Sequence, residues 1–485
     1  GVSSAASDVY KRQPLAHPPV ATGEGKRVPM PNPTGLTPCP SPEAVEKGAR
    51  YHRDPCPSEG VVVSASRSRT LSLILPVYVP SLLLSAGQGI LVPTLPLFAQ
   101  DRFEVNFSLV SLVVAAAGLG TLISDVPAGM LIERWGRKPV MIAGTFAAAV
   151  ATMLMGTAAP LAAVTGIFPA YVALVCLRLV AGGGSAMWNI SRMAYIADVV
   201  PIADRGRALS TFGGVGRIGT FVGPFVGGLI GTWFGLEASF YVAGGLSLIG
   251  AAISIFTIHE SRQATGRAGK HMQWALVGTV ARRHWRDLTA AGSAQVFAQM
   301  IRAGRQLIVP LYASNTLGLS VAEIGSIVSI SSAVDMSLFL PAGILMDKLG
   351  RKFASVPSFI VLAIGMAMVP FTVDYATLLI ATCVMGFGNG IGSGTMMTLG
   401  ADLAPREATG EFLGVWRLIG DAGTSGGPMA VGAIADLIGL GPAAFCLSAT
   451  GILAASTLVV FVRETLGNPV APVRINAPPS PVPPA

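Results

Sequence analysis

A chain of 485 residues in which 52% are hydrophobic and 12% charged is not an ordinary soluble domain, where about a quarter of residues carry charge. The net charge of +8 lies in short turns between apolar runs, so it argues for charge asymmetry across a bilayer and against a basic nucleic-acid surface. Five cysteines (Cys39, Cys56, Cys176, Cys383 and Cys446) show neither disulfide nor metal-ligand spacing, and no metal or cofactor is expected.

Residues 1–68 are rich in Pro, Ser and Gly without helical periodicity and read as a disordered tail. The first Met is Met30, no cleavable signal is evident, and the first apolar run is long enough to start insertion itself. Twelve apolar segments follow, over 71–98, 107–132, 139–158, 169–193, 210–233, 238–258, 290–313, 321–346, 354–372, 376–400, 413–436 and 441–462. Each approaches or exceeds the ~20 residues that cross a bilayer as a helix. They group as a bundle over 69–258, a connection over 259–289, a second bundle over 290–463, and a Pro-rich tail over 464–485. Within the connection Trp274, Val277, Ala281 and Leu288 recur at helical spacing against His271, Arg282, Arg283 and Arg286, as in a helix lying on a membrane surface.

Alternate turns hold the cations. On one side are Arg134, Arg137 and Lys138, then Arg205 and Arg207, the cluster from Arg262 to Arg286, Lys348, Arg351 and Lys352, and Arg406; the other side holds Arg102. Because Lys and Arg resist export, this places both termini in the cytoplasm; the expected location is a plasma (inner) membrane.

The chain also repeats itself. Pro127–Lys138 returns as Pro341–Lys352, and Pro96-Leu97-Phe98-Ala99 as Pro310-Leu311-Tyr312-Ala313, both displaced by 341 − 127 = 214. Asp198-x2-Pro201 returns as Asp402-x2-Pro405, and Gly219-Thr220-x2-Gly223-Pro224 as Gly423-Thr424-x2-Gly427-Pro428, displaced by 402 − 198 = 204. Duplication is the economical explanation. The expected fold is an all-α polytopic membrane protein with 12 transmembrane helices as two pseudo-symmetric six-helix bundles.

This arrangement, with a basic turn after the second and eighth segments, resembles the major facilitator superfamily. Its loop signature Gly-x-Leu-a-Asp-Arg-x-Gly-Arg-Lys is matched by Gly129, Leu131, Glu133, Arg134, Gly136, Arg137 and Lys138, with Glu133 one methylene longer than the signature acid. The second copy keeps Asp347. The fourth segment resembles a further signature through Arg178 and Gly182, with Ala181 in place of its Gln. The fifth resembles the antiporter signature through Gly219, Gly223, Pro224, Gly227 and Gly228, and Gly89–Pro96 is similar to the first helix of the drug–proton antiporters, tetracycline exporters among them. The resemblance implies a secondary transporter. It implies a part in proton coupling for Arg178, and a cytoplasmic gate from Asp125, Gly129, Glu133, Arg137 and Asp198 with Asp347, Arg351 and Asp402, holding an outward-open state.

The residues add detail. Gly219, Gly223 and Gly227 lie at i, i+4 and i+8 on one face, which suits close and sliding helix contact, and Pro224 removes a backbone donor there. Gln295, Gln299, Arg302 and Gln306 form a polar stripe on the seventh segment, which cannot face lipid. Ser85 and Gln88 form the repeat-related stripe on the first (302 − 88 = 214), and the two stripes are expected to line a central substrate cavity. Asp335 is the natural partner for Arg302. Arg217 and Asp421 are repeat-equivalent (421 − 217 = 204) and suggest a pair across the pseudo-two-fold. A proton carrier in the membrane must be a carboxylate whose proton affinity changes as an arginine neighbour comes and goes, which singles out Asp335 and Asp421.

The leading expectation is export of a small amphipathic molecule by proton antiport through alternating access. The alternative is a proton-coupled symporter or facilitator importing a small organic anion or other metabolite. A non-transporting receptor would not need the cavity stripe. An enzyme is not expected, since no nucleophile–base set lies at matching depth, and no P-loop points to an ATP-driven pump. The expected partners are the lipid bilayer, protons and a small-molecule substrate, with the chain acting as a monomer.

Overall fold

The computed structural model describes residues 73–258, 260, 282, 285–405 and 409–465. The expected tail over 1–68, the surface helix around Trp274, Val277 and Ala281, Arg406, and the chain beyond residue 465 lie outside the described residues.

Among the described residues the chain forms twelve long helices: α1 (Ile74–Phe103), α2 (Phe107–Trp135), α3 (Arg137–Met155), α4 (Ile167–Val199), α5 (Ile202–Phe234), α6 (Leu236–Thr257), α7 (Trp285–Asn315), α8 (Val321–Leu349), α9 (Arg351–Phe371), α10 (Tyr375–Leu403), α11 (Thr409–Ile438) and α12 (Leu440–Phe461). A short helix over Ala158–Thr165 joins α3 to α4. Nine are long and apolar enough to cross a membrane by length and composition alone. The other three are α5, α7 and α11, which carry Arg217, Arg302 and Arg305, and Arg417 and Asp421 respectively. Their polarity is the price of lining the interior instead of facing lipid. The outer surface bears large exposed apolar side chains such as Phe256, Trp233 and Leu437, as a lipid-facing wall requires.

The two halves pack alike. α1 lies on α5 and α6 as α7 lies on α11 and α12; α4 lies against α2 and α3 as α10 lies against α8 and α9. The halves meet along two seams, α5 against α8 and α11 against α2. Small residues set both seams. A Cβ added at Gly228 would stand 2.7 Å from the Val321 carbonyl oxygen on α8, and one at its repeat partner Gly432 (432 − 228 = 204) would stand 2.6 Å from the Phe107 carbonyl oxygen on α2. Gly219, Gly223 and Gly227 do not form the seam between the halves. They pack on α1 within their own half, where added Cβ atoms would come within 2.6, 2.5 and 2.4 Å of Ser85 Cβ, the Ala86 carbonyl oxygen and the Ile90 carbonyl oxygen.

The turn between α2 and α3 is made by Gly136 at φ 95° and its copy between α8 and α9 by Gly350 at φ 113°, left-handed values that favour glycine. Each turn is pinned by an acid arriving from the end of its half. Glu260 accepts from the backbone N–H of Arg137 (3.1 Å) and Lys138 (3.2 Å), and Glu464 accepts from those of Arg351 and Lys352 (both 2.9 Å). The spacing 464 − 260 = 204 repeats the duplication. A carboxylate is stabilised where unpaired helix N–H groups converge, so these acids lock the helix ends. Glu464, the first residue of the expected tail, is therefore part of the second bundle.

The halves differ in one respect the repeat did not predict. α8 is broken at Leu338, between Val321–Ser337 and Phe339–Leu349, and α10 at Gly392–Gly394, between Tyr375–Ile391 and Thr395–Leu403. Their counterparts α2 and α4 run unbroken.

Two stability predictions rest on this packing. A Cβ at Gly182 would meet the Ala117 carbonyl oxygen at 2.1 Å, so Gly182→Val should cost about 1–3 kcal/mol of overpacking, whereas Gly129→Ala, facing open space, should leave the thermal midpoint in detergent almost unchanged. Glu464→Ala should lower the same midpoint by the equivalent of about 0.3–1 kcal/mol through loss of its helix-end contacts.

Candidate substrate cavity

Where the halves meet, a cavity of about 600 Å³ is lined from α1, α2, α4 and α5 on one side and α7, α8 and α10 on the other. One end is tied shut. The Gln100 and Asn315 side chains exchange hydrogen bonds at 2.8 and 2.9 Å, and Thr232 accepts from the Ala322 N–H at 2.9 Å. Asp436 accepts from the Phe107 and Ser108 N–H groups at the start of α2 (2.8 and 2.9 Å). Toward the basic turns the lining reaches Phe212 and Gly213, and a Cβ at Gly213 would meet nothing within 4 Å. The cavity therefore opens toward the face with the basic turns.

Its centre is charged. Arg217, near the midpoint of α5, crosses to the second half, donating from Nη1 to Asp335 Oδ1 at 3.2 Å and from Nη2 to the Ser393 hydroxyl. Its guanidinium lies 4.7 Å from the centre of the Phe339 ring. Asp335 Oδ2 accepts from Asn389 at 2.8 Å and lies 4.0 Å from Arg305 Nη2. Both helix breaks meet at this point. A Cβ at Gly390 would stand 2.8 Å from both the Asp335 carbonyl oxygen and the Leu338 Cβ. The broken turn of α10 frees the Gly392 carbonyl, which accepts from Arg302 Nη2 at 3.0 Å. Irregular backbone at membrane depth is tolerated where it borders a wet cavity that satisfies its polar groups.

The expected residues are distributed as follows. Ser85, Gln88, Gln306, Arg302, Arg178, Arg217 and Asp335 all line the cavity, with Arg305 among them. Gln295 and Gln299 are not among its lining. They turn toward α11, where a Cβ at Gly420 would meet Gln295 Nε2 at 2.6 Å and one at Gly423 would meet Gln299 Cβ at 3.0 Å. The stripe is one face of α7, about 60° wide, and depth separates its members: those toward the basic end pack inside their own bundle. The expected Arg302–Asp335 pair is replaced by Arg217–Asp335, because the break in α10 supplies Arg302 with a carbonyl. Arg217 and Asp421 are likewise not paired. Asp421 Oδ2 is 3.8 Å from Arg417 on its own helix.

The residues expected to form a gate make one ion cluster in each half. Arg137 Nε lies 2.5 Å from Asp198, and Arg351 lies 3.0 Å from Asp402 and 3.2 Å from Asp347. Glu133 is exposed at the end of α2 and Gly129 faces open space. Asp125 is different, because it reaches across the second seam to Arg417 at 3.0 Å. Sequence reasoning missed Arg417, Asn389, Ser393, Glu260 and Glu464. The matching position of Arg417 in the first half is Gly213 (417 − 204 = 213), so the repeat carried no signal for it, whereas the 204-residue spacing of the two acids did.

A second cavity of about 290 Å³ adjoins the first, lined mostly from the first half but also by Ala303 and Gln306 of α7 and Thr424 and Pro428 of α11, and shares Gln88, Leu91, Val114, Arg178 and Gln306 with it.

The comparisons with known proteins agree with this architecture. An MFS-type transporter of Methanocaldococcus jannaschii, itself uncharacterized, is 23% identical over 357 residues, covering 73% of this chain and 89% of that protein. A homologue of a multi-drug resistance efflux pump in Lactococcus lactis is 26% identical over 363 residues, covering 72% and 85%. The crystal structure of a nucleoside transporter superposes with a TM-score of 0.62 at 14% identity, over 81% of this chain and all of that one, which is a likeness of fold. The family model for the Major Facilitator Superfamily matches residues 78–303 and again 291–484. The chain belongs to the Major Facilitator Superfamily and is an integral, multi-pass membrane transporter.

Proposed function

We propose that this transporter exports a small amphipathic molecule by proton antiport through alternating access. The observation that carries the reading is the charged cavity between the halves, shut at one end and open toward the basic turns, where cargo from the cytoplasm would enter. With the basic turns and both termini in the cytoplasm of a plasma membrane, the halves rock about the α5–α8 and α2–α11 seams, and the opening passes to the other side. Arg217–Asp335 and Asp125–Arg417 are the polar contacts across these seams nearest the basic face among the described residues, so their exchange would accompany the rocking. Asp335 and Asp421 are proposed as proton carriers. Protonating Asp335 removes the charge that holds Arg217 and Arg305, and protonating Asp421 does the same beside Arg417. Arg178 is assigned to coupling through its place in the cavity wall. The ion clusters at Arg137 and Arg351 are assigned to the gate, where each ties the ends of its own half. Export is supported by the efflux relative and by the glycine pattern on α5.

A second reading, import of an organic anion with a proton, is favoured by the excess of arginine over acid in the cavity. Reconstitution into liposomes with an imposed proton gradient separates the two. Export by antiport predicts uptake of cargo into inside-out oriented vesicles driven by an acidic lumen, and import by symport predicts the opposite dependence. Asp335→Asn should reduce gradient-driven flux at least tenfold, and Asp421→Asn should also reduce it, while both retain downhill exchange of cargo. Unchanged gradient-driven flux in both variants would refute the coupling assignment.

A further inference from the structure

The charge balance of the main cavity and the shape of its annex together specify a cargo class. Four guanidinium groups face the main cavity, Arg178 and Arg217 from the first half and Arg302 and Arg305 from the second, against one carboxylate among the described residues, Asp335. Asp335 is shared between Arg217 and Arg305. Arg302 donates to the Gly392 carbonyl and lies over the face of Phe359, whose ring centre is 5.1 Å away, and makes no direct ion pair among the described residues. Arg178 pairs with no acid among the described residues. Arg178 Nε, Arg302 Nε and Arg305 Nη1 are enclosed and have no acceptor among the described residues. A guanidinium cannot shed its charge, so a wall with this excess of cations attracts an anion.

Beyond its neck the annex is uncharged. Its 290 Å³ are walled by Leu84, Ala115, Ala148, Ala181 and Ala243 together with hydroxyls that already donate to backbone carbonyls, those of Thr121, Ser185, Ser247 and Thr424, and Arg178 and Gln88 stand at the neck it shares with the main cavity. Gln88 is held there by donating to Ser185 at 3.2 Å. Glycine and alanine keep the annex open, because larger side chains on these helices would fill it. A cation is repelled by the arginines, and a purely polar anion leaves the annex unused. A compact hydrophobic acid satisfies both.

We infer that the cargo is an amphipathic organic anion, its carboxylate or comparable head bound among Arg178, Arg302 and Arg305 and its apolar body lodged in the annex behind Arg178. The inference rests on the transport reading above and names its substrate class. Neither cavity's residues depend on the direction of transport, so the binding site can be tested apart from the coupling.

The test uses the full chain in lipid nanodiscs and four probes: 1-naphthaleneacetate, the neutral 1-naphthaleneacetamide, the cationic 1-naphthylmethylamine, and acetate. Equilibrium binding should favour the naphthaleneacetate at least tenfold over each of the other three. Arg178→Gln should weaken its binding about tenfold without changing that of the amide, and Arg178→Lys should recover part of the loss. Ser247→Leu, which fills the annex from α6, should weaken naphthaleneacetate while leaving acetate unchanged. Should Arg178→Gln fail to fold, Arg305→Gln supplies the same comparison. A cation or amide that binds as well as the acid, or an acid unaffected by both arginine variants, overturns the inference. In liposomes the two levels separate. Selective binding of the acid without gradient-dependent flux contradicts the transport reading alone, and uphill movement of the amine but not the acid contradicts this inference alone.

Discussion

An ionised side chain held at the middle of a bilayer-spanning helix must be met by water or by opposite charge, at a cost otherwise of about 2.5–3.5 kcal/mol for an arginine on insertion scales. Arg217 meets this constraint by leaving its own half. It reaches Asp335 and Ser393 and lies over Phe339, all on the far side of the seam. Truncating one partner of such a pair strands the other, so the contact ties the halves together, and the proposed mechanism has it yield when Asp335 is neutralised. The remaining architecture can be understood as what is needed to make that contact and to break it.

The asymmetry of the halves follows. In the second half two helices break at the level of the pair, and the breaks touch at Gly390 and Leu338. Breaking α8 presents Asp335 and Phe339 together, and breaking α10 presents Ser393 to Arg217 and the Gly392 carbonyl to Arg302. The first half keeps straight helices and supplies the arginine. Tight glycine contacts within each half, on α1 and on α7, make the bundles stiff, while Gly228 and Gly432 keep the seams between them thin. Stiff lobes around a thin seam favour rocking as units over bending within each lobe.

Most of the fold was legible in the sequence because duplication writes the same physical demands twice. The turns at Gly136 and Gly350 need the same left-handed backbone, and the acids that pin them, Glu260 and Glu464, keep the same spacing. Gln88, Arg302 and Gln306 were found as cavity residues by helical periodicity. The pairing of charges was not legible. Arg302 seemed to need Asp335, but the break in α10 at Gly392–Gly394 gave it the Gly392 carbonyl instead. Arg417 lies where the first half has Gly213, so symmetry concealed the one cation that meets Asp125. Gln295 and Gln299 share a stripe with the cavity residues, yet nearer the basic end of α7 that face lies against Gly420 and Gly423 of α11.

The central claim is that the Arg217–Asp335 contact governs the balance between two arrangements of stiff halves. Leu209 on α5 and Ile344 on α8 are exposed near the basic ends of the seam, which makes them suitable for paired spin labels in a chain freed of its native cysteines. Pulsed dipolar spectroscopy in liposomes should resolve two distances between them, with proportions that differ between the parent protein and Asp335→Asn. A single distance, identical in both proteins, would contradict the account.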